Sequence, residues 1–158
     1  MSKMIPLMIR MSFSRRVGRG VLLAFFSIAV VVLYGCTKEE PAQLPEVRVR
    51  LTIHLNLPQY SELQAPGCVV YIPSYGYEGN GIYVVHEVVN PGTYSAYDAT
   101  CVRHLERPLK TVREGNVAQC PFCQVEYLLI DRGYTADGNY HLQAYRCTRE
   151  GDILYISN

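Results

Sequence analysis

From Val47 to Asn56 the chain alternates strictly, with Val47, Val49, Leu51, Ile53 and Leu55 set between Arg48, Arg50, Thr52, His54 and Asn56. A period of two turns alternate side chains to opposite faces of an extended chain, so this segment predicts a half-buried strand. Pro58 ends it. Further short strands are predicted over 68–72, 82–88, 94–97, 125–130, 142–147 and 153–156, each bounded by turn-forming residues. Asn90-Pro91-Gly92 and Arg149-Glu150-Gly151-Asp152 read as hairpin connections. Only residues 59–65 suggest a helical turn. Short strands parted by turns, without an internal repeat or a low-complexity tract, predict an all-β fold of the small sandwich or barrel kind.

The start of the chain follows another pattern. Residues 1–35 hold five basic residues (Lys3, Arg10, Arg15, Arg16 and Arg19) and no acid, and 21–33 is an uncharged apolar run. Such a run is short for a membrane span but suits the core of a signal peptide. It leads into Leu33-Tyr34-Gly35-Cys36, which resembles the bacterial lipobox, whose cysteine is diacylated and becomes the new N-terminus. Residues 1–35 are therefore expected to be a lipoprotein signal peptide, and 36–46 the lipidated Cys36 and a polar tether. Acyl chains contribute roughly 0.8 kcal/mol per buried methylene, so the body would be held on a membrane outside the cytoplasm, in the bacterial cell envelope on the outer membrane. Thr37-Lys38-Glu39-Glu40 resembles the export signal that carries lipoproteins of Bacteroidetes-like bacteria to the cell surface; a solvated linker reads the same way.

Composition narrows the function. The 158 residues allow one domain of ordinary size, and 18% charged against 49% hydrophobic residues excludes a disordered chain. From Cys36 onward ten basic residues face fourteen acidic ones, which is no electrostatic footprint for nucleic acid. No Gly-rich phosphate loop and no hydrolytic serine or carboxylate constellation is present. The basic residues Arg103, Arg107, Lys110 and Arg113 read as a solvated loop or as a docking patch for an acidic partner.

Cysteine spacing supplies the candidate chemistry. Beyond Cys36 stand Cys68, Cys101, Cys120, Cys123 and Cys147. Cys101-Val102-Arg103-His104 followed by Cys120-Pro121-Phe122-Cys123 is a two-loop metal pattern, in which two short knuckles each deliver two soft or borderline ligands to one centre. A disulfide among these cysteines is the competing reading. A thioredoxin-type dithiol is disfavoured, because β-type sequence rather than a crossover helix surrounds Cys120. His54 and His86 read as polar-face residues of strands. His141, just before a closing strand, is a further possible approach to the metal loops. Cys68 and Cys147, on predicted strands, are expected to be buried thiols or one disulfide between strands.

Several stretches together resemble a Rieske-type iron–sulfur domain, in the small lipoprotein form of Bacteroidetes, over residues 47–158. They are Asn56-Leu57-Pro58-Gln59-Tyr60-Ser61-Glu62-Leu63, Pro66-Gly67-Cys68-Val69-Val70-Tyr71, Gly81-Ile82-Tyr83-Val84-Val85 and Tyr94-Ser95-Ala96-Tyr97-Asp98-Ala99-Thr100-Cys101. Cys120-Pro121, Val125-Glu126-Tyr127, Leu142-Gln143-Ala144-Tyr145 and Gly151-Asp152-Ile153-Leu154-Tyr155-Ile156 complete the order. A Rieske centre takes C-x-H and C-x-x-H, two Cys on one iron and two His on the other. This chain departs from that pattern: its first loop reads C-x-x-H and its second ends in Cys123. Glu106 and Phe122 stand where the family's loop-tying disulfide would be.

The resemblance implies an all-β, Rieske-like small β-sandwich with an inserted two-loop metal-binding subdomain at about 98–127. It implies a membrane-anchored, extracytoplasmic protein binding a 2Fe–2S cluster and acting as a one-electron carrier toward another redox protein. Such a protein is a carrier rather than an enzyme, and no small-molecule substrate is evident. In that reading Cys101 and Cys120 hold the inner iron, and His104 and Cys123 the outer one. The alternative is a non-redox surface lipoprotein whose degenerate Rieske fold holds structural zinc or no metal and serves binding or assembly.

Overall fold

The computed structural model describes residues 43–158; the expected signal peptide, Cys36 and most of the tether lie outside them. Ten strands run in order: β1 (Arg50–His54), β2 (Val69–Ile72), β3 (Ile82–His86), β4 (Tyr94–Asp98), β5 (Val112–Glu114), β6 (Val117–Gln119), β7 (Glu126–Leu128), β8 (Tyr134–Thr135), β9 (Ala144–Glu150) and β10 (Ile153–Ser157). All pair antiparallel. A six-stranded sheet has the order β1-β10-β9-β4-β3-β2, and a four-stranded sheet, β5-β6-β7-β8, is inserted between β4 and β9. The all-β class expected from the sequence is present, and the insert, expected at about 98–127, carries its last strand at Tyr134–Thr135. The helical turn is also there, as a 3-10 helix over Pro58–Gln64.

Strand β3 is the centre of the packing, because both of its faces are covered. Ile82 and Val84 join Val49, Leu51, Ile53, Leu63, Leu154 and Ile156 in one apolar cluster. Tyr83 and Val85 point the other way, into a second cluster with Val69, Tyr97, Tyr127, Leu129 and Leu142. The first cluster confirms the alternation read along β1, where Leu51 and Ile53 are buried and Arg50, Thr52 and His54 are exposed. The second binds the four-stranded insert to the sheet, and it includes Cys101 and Cys120.

Three short strands escaped the sequence reading: β5, β6 and β8. β5 is exposed throughout, and β8 has two residues, so neither shows a readable period. His86 departs from its expected polar-face position, since β3 is buried on both sides. Its Nε2 accepts the Gly92 N–H at 2.9 Å and its ring stacks on Tyr94. Cys68 and Cys147 are half-buried free thiols.

Candidate metal centre

Two backbone knuckles build the site. The first follows β4. Ala99 N–H donates to the Gly81 carbonyl, Thr111 N–H to Ala99, and Cys101 N–H to Leu109, so the loop from 101 to 109 is closed at its base. His104 N–H turns back to the Cys101 carbonyl at 3.2 Å, which brings the two side chains of C-x-x-H to one side. The second knuckle is the tip of the β6–β7 hairpin. Gln124 N–H donates to the Cys120 carbonyl at 2.9 Å, and Cys120 N–H to Val125 at 3.0 Å. Gln124 sits at φ 59°, the left-handed conformation that lets so short a turn close.

The four candidate residues converge. One ligand atom from each of Cys101, His104, Cys120 and Cys123 lies within 4.8 Å of all the others. Cys101 Sγ and Cys123 Sγ are 3.9 Å apart. Cys101 and Cys120 are buried, whereas His104 and Cys123 are half-buried, so the group has an inner and an outer pair. His104 Nε2 is buried without a hydrogen-bond partner. The exposed Phe122 ring stands edge-on to the imidazole, 5.1 Å between centroids. His141 is not part of the group: its Nδ1 bonds the Leu142 carbonyl and its ring rests on Tyr134. All five cysteines of the described body are free, so the disulfide reading of the knuckles is not realised.

The local field prepares the thiols unequally. Burial pushes Cys101 up to about 12, against the opposing effect of hydrogen bonds from the Tyr127 hydroxyl and the Arg103 amide. At Cys120 burial acts upward too, but the Cys123 and Phe122 amides and the neighbouring thiols outweigh it, and the thiol lies below its ordinary value. Amides aimed at sulfur favour thiolate, the form that binds metal. Tyr127, fully buried, places its hydroxyl 3.4 Å from Cys101 Sγ. Nothing in its sequence context marked it out, since it reads as one more inward residue of a strand.

The donor set can be tested against both expected cofactors. Three thiols and one imidazole, its Nε2 without a partner, suit a tetrahedral metal ion of the zinc or iron–sulfur kind. With bonds of about 2.0–2.3 Å, one tetrahedral ion places its ligand atoms about 3.5–3.8 Å apart. Two bridged irons form a pair of tetrahedra sharing an edge. With bonds of that length, ligands on different irons stand about 5.2 Å apart or more. Every donor pair here is closer than that. Cys101 and Cys123, expected on different irons, are as close as two ligands of one ion. The widest spread, 4.8 Å, is wider than one ion sets and narrower than two bridged irons set, so the loops close slightly on a single ion or part slightly round a 2Fe–2S cluster.

Similar solved structures include a Rieske monooxygenase and two ferredoxins. The quaternary ammonium Rieske monooxygenase CntA, in complex with an inhibitor, is 16% identical, with a TM-score of 0.47 over 70% of this chain and 31% of its own. This chain therefore spans about a third of that enzyme's length. The ferredoxin of carbazole 1,9a-dioxygenase from Nocardioides aromaticivorans IC177 is 15% identical, with a TM-score of 0.39 over 70% of this chain and 97% of its own. Sphingomonas yanoikuyae B1 ferredoxin is 16% identical, with a TM-score of 0.37 over 60% and 88%. No family model and no curated protein matches the chain.

Proposed function

We propose that this protein is a non-redox binding module whose insert is stapled to the β-sheet by one zinc ion held by Cys101, His104, Cys120 and Cys123. The observation that carries the reading is the 3.9 Å between Cys101 Sγ and Cys123 Sγ, one from each knuckle, which is the spacing of two ligands of one ion. A tetrahedral ion bonded by both knuckles ties the loop after β4 to the β6–β7 tip, and so contributes to folding directly. The apolar run and Leu33-Tyr34-Gly35-Cys36 support a lipid-anchored position in the bacterial envelope.

A second reading, the one-electron carrier with a 2Fe–2S cluster, is favoured by a different observation. The donors divide into a buried pair and a half-buried pair, and the half-buried pair lies beside the exposed Phe122. That is where a redox partner would approach. Metal analysis and visible absorption on protein purified without oxygen separate the two. One zinc per chain and no visible band supports the staple. Two irons with sulfide and a coloured, reducible centre would replace it with the carrier.

A further inference from the structure

Strand β1 ends the six-stranded sheet, with β10 on one side and, among the described residues, no strand on the other. Its backbone groups divide between the two sides. Leu55 N–H donates to the Asp152 carbonyl at 2.8 Å, and Val49 N–H to Asn158 Oδ1 at 2.9 Å. Along an antiparallel pair, residues that bond across alternate with residues that do not, so 49, 51, 53 and 55 face β10. Arg50, Thr52 and His54 therefore turn their N–H and C=O groups outward. The His54 carbonyl accepts the Leu57 N–H at 3.1 Å. The N–H and C=O of Arg50 and Thr52, and the His54 N–H, have no partner among the described residues.

The side chains along this edge carry a pattern of their own. Arg50, Thr52 and His54 are exposed, and Leu51 and Ile53 are buried on the opposite face. Arg48 continues the exposed row. With Arg50 it lines a groove of about 400 Å³ at the start of the strand, beside Glu46, Val49 and Asn158. Two guanidinium groups face one carboxylate there, and neither Arg48 nor Arg50 is paired with it or with any other described residue. Unpaired strand edges are templates for another strand, and basic side chains on them select against a like edge. Two copies joined antiparallel about Arg50 would set guanidinium against guanidinium, whereas opposite charges placed directly across strands attract.

We infer that the β1 edge binds an extended segment of a partner protein in which acidic residues alternate with apolar ones, added antiparallel as a further strand. Its main chain bonds the outward groups of Arg50 and Thr52. Its acidic side chains stand on the exposed face opposite Arg50 and Arg48, where guanidinium pairs with carboxylate in a fixed fork. Its apolar side chains extend the row of Leu51 and Ile53. Main-chain bonds then supply affinity, and the alternate side chains supply choice of partner. The inference rests on the binding-module reading for the protein's role and involves none of the metal donors.

The test is calorimetric and NMR titration of the full chain in detergent with a short capped peptide alternating valine and glutamate, and with its valine–lysine counterpart. The glutamate peptide should bind saturably, with amide shifts centred on 50–54, and at least tenfold more tightly than the lysine peptide. Methylating its glutamate amides, which face β1, should abolish binding; methylating its valine amides, which face away, should leave it. Arg50→Glu should weaken the glutamate peptide at least tenfold with unchanged metal content and melting temperature. Thr52→Pro removes an outward N–H and no bond to β10, so it should also abolish binding, while Thr52→Val retains it. Failure to saturate at about 1 mM would overturn the inference, as would wild-type affinity in Arg50→Glu. Equal binding of both methylated forms would reduce the edge to a charged surface, of the kind that also meets anionic lipid, and overturn strand addition. Dimers without peptide, lost in Thr52→Pro, would make a second copy the occupant and overturn it too. Metal content separates this failure from that of the staple. One zinc with no peptide bound leaves the staple standing, whereas a bound peptide on a two-iron protein leaves the edge standing and removes the staple.

Discussion

Asp98 is the buried hinge between the sheet and the metal loops, and its removal has a calculable cost. The side chain is fully buried at the end of β4. Oδ2 accepts the Tyr77 N–H and the Tyr145 hydroxyl, each at 2.6 Å, and Oδ1 accepts the Thr100 N–H at 2.8 Å. Gly76, at φ 77°, lies so close that a Cβ there would collide with Oδ2. Asp98→Ala strands all three donors. The Tyr77 amide is only partly buried and water can reach it, but Thr100 N–H and the Tyr145 hydroxyl are enclosed. At about 1–3 kcal/mol for each buried donor left unmade, the expected loss is about 3–5 kcal/mol, a large part of a typical domain's stability. Asp98→Asn keeps an acceptor for Tyr145 but sets an amide against the Thr100 N–H, so it should cost about 1–3 kcal/mol. Urea unfolding followed by far-ultraviolet circular dichroism, in chelator so that metal loss does not contribute, measures each variant. In the cycle with Tyr145→Phe the two losses should fall short of additivity by about 1 kcal/mol or more. A loss below about 1 kcal/mol for Asp98→Ala, or strict additivity, would refute this account of the hinge.

Other outcomes follow from the same geometry. Cys101→Ser and Cys120→Ser should each lose the whole metal content and lower stability well beyond the roughly 0.5 kcal/mol of a surface change, read by metal analysis and thermal melting. Tyr127→Phe should keep the metal and cost about 1 kcal/mol. It should also shift the visible bands of cobalt-substituted protein, because Cys101 Sγ loses its hydroxyl partner at 3.4 Å. Burial, and then the charge of Glu87, pushes Cys147 up to about 12 from an ordinary 9.0. It should resist iodoacetamide at pH 9 in the folded protein. Its contribution to stability is complete below pH 9 and is lost as the pH rises toward 12, which alkaline unfolding tests. Cys36→Ala should abolish palmitate labelling and leave an uncleaved precursor, visible as a slower band; labelling that survives would exclude the lipobox.

The parts of this protein that rest on local order are legible in its amino-acid pattern. Period-two alternation located β1 because one face of that strand must be apolar to be buried, and Leu51 and Ile53 are buried. Pro58 and the hairpin turns set the ends of strands by restricting φ. The knuckle spacings picked out the four residues that the fold gathers into one Cys/His group, because each knuckle is a turn closed by its own backbone, as His104 N–H to Cys101 and Gln124 N–H to Cys120 demonstrate. What depends on residues far apart in the chain emerges only once the fold brings them together. How closely the two knuckles approach, and hence whether their donors suit one ion or two, is set by the packing of the insert on Tyr83, Tyr97 and Leu142. His86 is buried by its own hairpin, where its ring stacks on Tyr94 and its Nε2 accepts the Gly92 N–H, contacts that alternation along the strand does not record. Tyr127 and Asp98 acquired their partners through the fold. A buried polar group is satisfied by whatever the fold brings to it, and those partners lie 26 and 47 residues away, at Cys101 and Tyr145.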